Sequence, residues 1–284
     1  MREQHHSPDY ASGTGNFRHS YHLEMVLDIT RVEKIKEAID YYRSNTRRFL
    51  ELGSGSGLFL KYASPRFHTV VGVEQDLTIA QVAKSALQNE LAGNVRLHEG
   101  SAFEVQLGEE RFDVILCEML STWMITEPQV PVVREARQRF LAPGGVLIPR
   151  RVVNLAELGH FPFGNDLVQI PSPITQFTGV RSPSVITTSE IASSLEFTDG
   201  ELPDRMEASI RFVALMDGIV NCVRLSSIVD LAPKVCFFST DTLMPYTIIP
   251  LQKPIEVARD QQILLRYRYT HRSELSKAVF WVDI

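Results

Sequence analysis

A chain of 284 residues with 44% apolar residues is long enough for one large or two ordinary domains and too apolar to be disordered. Its 29 Lys and Arg against 34 Asp and Glu leave a net charge of −5, which gives no electrostatic case for a nucleic-acid partner. The sequence holds no apolar run of about 18 residues, so no membrane span is expected. Its start, Met1-Arg2-Glu3-Gln4-His5-His6, lacks an apolar segment of signal-peptide type. Cys117, Cys222 and Cys236 show no metal or redox spacing and are expected to be buried thiols in a reducing cytoplasm.

Residues 1–18, polar and rich in Gly and Ser, are expected to form a flexible arm that could order over a ligand. From Tyr21 a helical pattern sets in, with Leu23, Val26, Leu27, Ile35, Ala38, Ile39 and Tyr42 on one face. Strands are expected at 48–52, 69–74, 95–98, 113–117 and 146–148. Helices are expected after Gly57, from Thr78 to about Glu90, and from Pro128 or Pro131 to Phe140, with Ala142-Pro143-Gly144-Gly145 as a turn. Uninterrupted apolar strands between helices argue for a doubly covered parallel sheet, with a ligand at the strands' C-terminal ends. Past Arg151 the pattern changes to strand-like runs at 152–158, 208–216, 219–230, 234–239, 246–251, 262–270 and 277–283. The expected fold is therefore α/β: a doubly wound, Rossmann-like sheet over 19–150, then an all-β, barrel-like domain over 151–284. Residues 160–206 are the least regular part.

Three stretches carry chemistry. The first is Phe49-Leu50-Glu51-Leu52-Gly53-Ser54-Gly55-Ser56-Gly57, an apolar strand entering a glycine-rich turn, followed by a second strand ending on Glu74. Glycines let backbone approach a ligand, and an acidic residue closing the second strand can accept hydrogen bonds from ribose hydroxyls. A dinucleotide site wants G-x-G-x-x-G. Here the spacing is G-x-G-x-G, and Glu51 would repel a pyrophosphate but suits a cation. S-adenosylmethionine (SAM), which has a sulfonium, an amino group and no phosphate, fits that pattern. A ligand-free strand-helix turn and a dinucleotide site are the competing readings.

The second stretch places Glu118 and Glu127 nine positions apart around Met119-Leu120-Ser121-Thr122-Trp123-Met124-Ile125-Thr126. Two carboxylates aimed at one point need a cation, and a planar guanidinium can bond both. The bland alternative makes Glu127 a helix N-terminal carboxylate and Glu118 a surface charge. In the third stretch His22, Met25 and Asp28 lie about one helical turn apart, with Arg31 on the same side, able to bind the SAM carboxylate. On periodicity alone this is a solvated amphipathic helix.

The ordered combination resembles the catalytic core of the protein arginine methyltransferases, within the class I SAM-dependent methyltransferases. That family's H-x-x-M-L-x-D-x-x-R is matched by His22, Met25, Val26, Asp28 and Arg31, with Val for Leu. Its glycine motif is matched by Glu51, Gly53, Gly55 and Gly57, its ribose acid by Glu74, and its double-glutamate loop by Glu118 and Glu127. Ala136-Arg137 and the run from Leu141 to Pro149 continue the match. The resemblance covers residues 19–150 well and the rest loosely.

Departures from the family pattern fall on the acceptor side. Met119-Leu120-Ser121-Thr122 stands for Trp-Met-Gly-Tyr, and Thr242-Leu243-Met244 for Thr-His-Trp. Ser101 stands where many SAM enzymes carry Asp near adenine, and residues 160–206 hold no recognisable helical dimerisation arm. The resemblance implies that Glu51 and Arg31 hold the methionyl end of SAM and that Glu74 holds the ribose. It also implies that Gln75, Ser101 and Ala102 lie by the nucleoside, with His22, Met25, Ser54 and Glu118 nearby. Glu118 and Glu127 would hold a guanidinium.

The expected activity is N-methylation of the guanidino group of free arginine or a related small molecule, in a natural-product pathway, by a homodimer, with no metal. The alternatives are methylation of arginine in a protein, methylation of another amine or hydroxyl, cyclisation of SAM itself, or a non-enzymatic SAM-dependent regulator.

Overall fold

The computed structural model describes residues 19–176 and 182–283; the expected N-terminal arm, residues 1–18, lies outside them. The chain begins with two helices, α1 (His19–Leu27) and α2 (Ile29–Tyr42), where the periodicity suggested one. Asp28 causes the break: its side chain caps α2 by accepting from the Arg31 amide at 3.2 Å. The expected common apolar face divides there. Ile35, Ala38, Ile39 and Tyr42 are buried, whereas Leu23, Val26 and Leu27 are exposed.

Five parallel strands follow: β1 (Ser44–Leu52), β2 (Phe67–Glu74), β3 (Val95–Glu99), β4 (Phe112–Cys117) and β5 (Leu141–Ile148). They are connected by α3 (Leu58–Ala63), α4 (Leu77–Ala86), α5 (Gln88–Leu91) and α6 (Gln129–Arg139). Their order, β3-β2-β1-β4-β5, is that of a doubly wound sheet. The apolar runs of the central strands, 49–52, 70–74 and 114–117, are buried throughout. The turn expected at 142–145 is instead an irregularity within β5: Leu141 pairs with Phe112 and Val146 with Val114, so the intervening residues bulge out.

The remaining strands are all antiparallel. β7 (Ile174–Gln176), β13 (Tyr246–Val257), β11 (Gly218–Ala232), β6 (Arg151–His160) and β8 (Ser184–Val185) lie side by side. Along them, β12 (Val235–Phe238) pairs with β11 and β9 (Glu190–Glu196) with β6. A second sheet runs β10 (Arg205–Val213), β14 (Gln262–Thr270), β15 (Val279–Asp283). Inward-facing Leu225, Ile249, Phe212, Leu265 and Phe280 join the two sheets in one core. Among the described residues of 160–206, β7, β8 and β9 are present and no helix is. Cys117 and Cys222 are buried as expected, but Cys236 is exposed, because it alternates outward on β12.

Trp123 hooks the loop after β4 into this antiparallel core. It is fully buried, edge-on to Tyr267 at a centroid distance of 5.1 Å, and its Nε1 donates to the Leu155 and Ser226 carbonyls at 3.0 and 3.1 Å. Trp123 and Met124 both have left-handed backbone, with φ of 57° and 55°, a conformation that bulky residues keep only when packing enforces it. Trp123→Ala should therefore destabilise the protein by about 3–5 kcal/mol in denaturant unfolding, the usual cost of deleting a fully buried large aromatic. A loss below about 1 kcal/mol would mean that the hook is not what holds the loop.

Candidate active site

Topology sets the position of the site. The strand order reverses between β1 and β4, and the register pairs their last residues, Leu52 with Cys117. The chain leaves these two ends as Gly53 and Glu118, so the glycine turn and the first loop glutamate emerge side by side at the switch point. Gly53 has φ +75°, and a Cβ there would lie 2.7 Å from the Met119 Cε. Both facts exclude a larger residue without rearrangement.

Around that point three acidic side chains are buried, each in a different electrostatic state. Glu74, at the end of β2, is 5% exposed. Its oxygens accept from the Gly55 and Asp76 amides, each at 2.8 Å, which ties the two ligand-facing loops together. Glu118 forms an ion pair with Arg31 at the start of α2, and both side chains are 6% exposed. Glu51 is 3% exposed, and its Oε2 has no hydrogen-bond partner. Burial raises the Glu51 carboxyl well above the usual range, the charges of Glu74 and Glu118 add to the rise, and the Leu60 amide opposes it. A buried carboxyl with one oxygen left without a hydrogen-bond partner, between two other acids, is a place for a cation.

Every residue expected to bind the cofactor lines one cavity, except Gly57. Glu51, Gly53, Ser54, Gly55, Glu74, Gln75, Ser101, Ala102 and Glu118 meet His22, Met25 and Arg31 across it. His22 reaches it from α1, its Nδ1 lying 3.4 Å from where a Gly55 Cβ would be. Arg31 reaches it from a different helix than His22 and Met25, and Asp28 acts as a cap instead of joining them. Gly57 instead caps α3 with φ +80° and packs against Leu87 and Ala83. SAM fits this donor set. Its ammonium would answer the open Oε2 of Glu51, and the glycine turn leaves room for its methionyl end.

A second cavity, of about 430 Å³, opens beside the first. Its walls come from 120–122 and 125–127 of the glutamate loop, 172–175 leading into β7, 243–245, and 274–276 before β15. Leu243 and Met244 thus line it, as the placement of that segment suggested. Met25, Arg31 and Glu127 face both cavities, whereas Glu118 faces only the first. The sequence reading missed the walls at 172–175 and 274–276, and also Glu24; Glu24 and Glu274 add carboxylates to the second cavity.

Comparison with known proteins agrees with this build. A "Methyltransferase domain" family profile matches residues 50–148. An uncharacterized protein of Methanothermobacter thermautotrophicus is 31% identical over 250 residues, 87% of this chain and 92% of that one. Protein arginine N-methyltransferase 1 of Schizosaccharomyces pombe is 29% identical over 133 residues, 46% of this chain but only 39% of the fission yeast protein. In fold, the chain matches a chain of the Trypanosoma brucei PRMT1 enzyme-prozyme heterotetrameric complex with AdoHcy. The TM-score is 0.78 at 16% identity, covering 97% of this chain and 98% of the other.

Fold and site together define a class I SAM-dependent methyltransferase. Within that class, the chain belongs to the family of the Methanothermobacter protein and resembles the protein arginine methyltransferases over part of its length. Among the described residues no helix is long and apolar enough to cross a membrane, and no cluster of His, Cys, Asp or Glu could hold a metal ion.

Proposed function

We propose that this enzyme methylates the guanidino group of free arginine or a related small molecule. The observation that carries the reading is the position of Glu127, a buried carboxylate on the wall shared by the cofactor cavity and the 430 Å³ cavity. When bound, SAM supplies a methyl group made electrophilic by its sulfonium. Glu51 accepts hydrogen bonds from the amino group, Arg31 holds the carboxylate, Glu74 bonds the ribose, and Gln75, Ser101 and Ala102 border the nucleoside. Glu127, with Glu118 behind it, binds the acceptor cation and turns one nitrogen toward the cofactor. The acceptor's ordinary pKa above about 12 makes prior deprotonation costly, so the proton leaves with or after transfer, to a carboxylate or to water. Positioning supplies most of the effect.

Two features favour a small acceptor. The cavity's volume lies in the range of small-ligand pockets, roughly 300–1,000 Å³. The loops that wall it also depart from the arginine-methyltransferase pattern at Met119-Leu120-Ser121-Thr122 and Thr242-Leu243-Met244. Its lining is rich in carboxylates: Glu24, Glu127 and Glu274 face it, the last paired with Lys277 at 3.1 Å, and among the described lining residues the one basic side chain, Arg31, is bonded to Glu118. Arginine within a protein is the second reading, favoured by the relatives that carry that name. A homodimer in a reducing cytoplasm is the setting proposed.

Methyl-labelled SAM, incubated with the enzyme and three pools, tests the reading. The pools are free arginine with guanidino metabolites, an arginine-rich peptide, and no acceptor. Label on free arginine or a guanidino metabolite is the expected result. Label on peptide alone would make this a protein arginine methyltransferase. Loss of SAM without acceptor would point to chemistry on SAM itself.

A further inference from the structure

Two polar side chains outside the expected site hold the backbone that carries the glutamates. Gln129, the first residue of α6, is fully buried. Its Nε2 donates to the Cys117 carbonyl and its Oε1 accepts from the Met119 amide, both at 2.7 Å. Those two groups flank Glu118, so one side-chain amide grips the peptide units on either side of the carboxylate that pairs with Arg31. At the other end of the loop the Ser121 Oγ accepts from the amides of Thr126 and Glu127, at 3.1 and 3.2 Å.

The grips cross over. A residue two positions past Glu127 fixes Glu118, and a residue three positions past Glu118 fixes Glu127. The separation of the two carboxylates is therefore set by hydrogen bonds that close the loop on itself. Burying a side-chain amide is unfavourable unless both its ends are bonded, and an apolar residue could fill the same space. Gln129 meets that condition through the two groups that flank Glu118.

We propose that Gln129 and Ser121 are positioning residues that set the spacing and direction of Glu118 and Glu127, and hence the aim of the acceptor nitrogen. The consequence for catalysis rests on the reading that the glutamates hold the acceptor. The consequence for the Arg31–Glu118 pair does not.

The test uses Gln129→Met, Gln129→Glu and Ser121→Ala in the full chain, with rates normalised to S-adenosylhomocysteine-binding sites so that unfolded protein does not count. Gln129→Met keeps the bulk and removes both hydrogen bonds. It should lower kcat by roughly 10²-fold, the scale of a 1 Å misplacement, and raise KM for SAM as well, because Glu118 pairs with Arg31 on the cofactor side. Ser121→Ala should lower kcat in the same direction.

Gln129→Glu restores both hydrogen bonds only while its carboxyl is protonated. Its kcat relative to wild type should therefore rise as pH is lowered from about 8 to 6, a dependence that Gln129→Met lacks. The Arg31 guanidinium NMR signal, read with S-adenosylhomocysteine bound, reports the pair without turnover. It should shift in Gln129→Met and return in Gln129→Glu on acidification. A wild-type Arg31 signal in both Gln129 variants, or wild-type kcat per site in all three, would overturn the positioning role. If the wild type methylates no guanidine, the acceptor reading fails and the Arg31 signal alone decides the placement of Glu118.

Discussion

Glu127→Gln should lower kcat by about 10²- to 10³-fold while leaving SAM affinity within about twofold. The change keeps shape but deletes a charge, and turns one acceptor oxygen into a donor, on the wall shared by the two cavities. Two unit charges 4 Å apart in a partly buried setting interact by about 4 kcal/mol at an effective dielectric of 20, close to a thousandfold in rate if the term is realised in the transition state. Glu118→Gln should differ in kind. Glu118 pairs with Arg31 on the cofactor side, so its loss weakens both SAM binding and turnover. On the proposed reading both carboxylates act on one acceptor, and the double variant should then lose much less than the product of the single effects. Steady-state kinetics with SAM binding measured separately would check all three. Unchanged kcat in Glu127→Gln would show that the acceptor is not held as a cation, and would favour another SAM-dependent reaction.

The legibility of this site in the sequence follows the reach of local signals. The glycine turn, Glu74 and Glu118 are visible because each sits where an apolar strand stops, and strand ends can be read from composition alone; Glu127 is visible beside Pro128, where a helix is expected to start. Arg31 was visible as part of a motif, but not the break at Asp28 that puts it on its own helix. Hydrophobic periodicity continues through a cap, so Leu23, Val26 and Leu27 looked like core and are exposed. The walls of the second cavity at 172–175 and 274–276 were hidden for another reason. They meet only through antiparallel pairing across long separations, such as Ile174 with Ile248, and no local pattern encodes that register. Ser121 and Gln129 belong to a third class: polar residues in an apolar loop whose partners are backbone groups and which carry no motif.

SAM binding should release a proton and tighten as pH rises. Glu51 is buried, unpartnered at Oε2 and flanked by Glu74 and Glu118, so in the ligand-free protein it keeps its proton well above the ordinary carboxyl range. An ammonium placed beside it favours the carboxylate and draws the pKa back down. Between the ordinary value near 4.5 and the raised one, affinity therefore increases with pH, by at most tenfold per unit for one proton, and levels off above the raised value. Calorimetry in buffers of different ionisation enthalpy reads the proton directly.

Glu51→Gln should abolish the release attributable to this group and weaken binding roughly 10- to 100-fold, from about 1.5–3 kcal/mol for a charged hydrogen bond. His22 also faces the cavity and carries an imidazole that ordinarily titrates near 6.5, so His22→Gln is the control that separates the two groups. The ligand-free fold should respond with the opposite sign. In the same window the folded state binds more protons at Glu51 than the unfolded chain does, so this group's contribution to stability falls as pH rises from about 4.5 through the raised value. Glu51→Gln should remove that slope, and the rise in melting temperature on adding SAM should grow with pH in the wild type alone. Proton uptake on binding, or a slope that survives Glu51→Gln and vanishes in His22→Gln, would assign the linkage elsewhere and remove Glu51 as the partner of the cofactor's amino group.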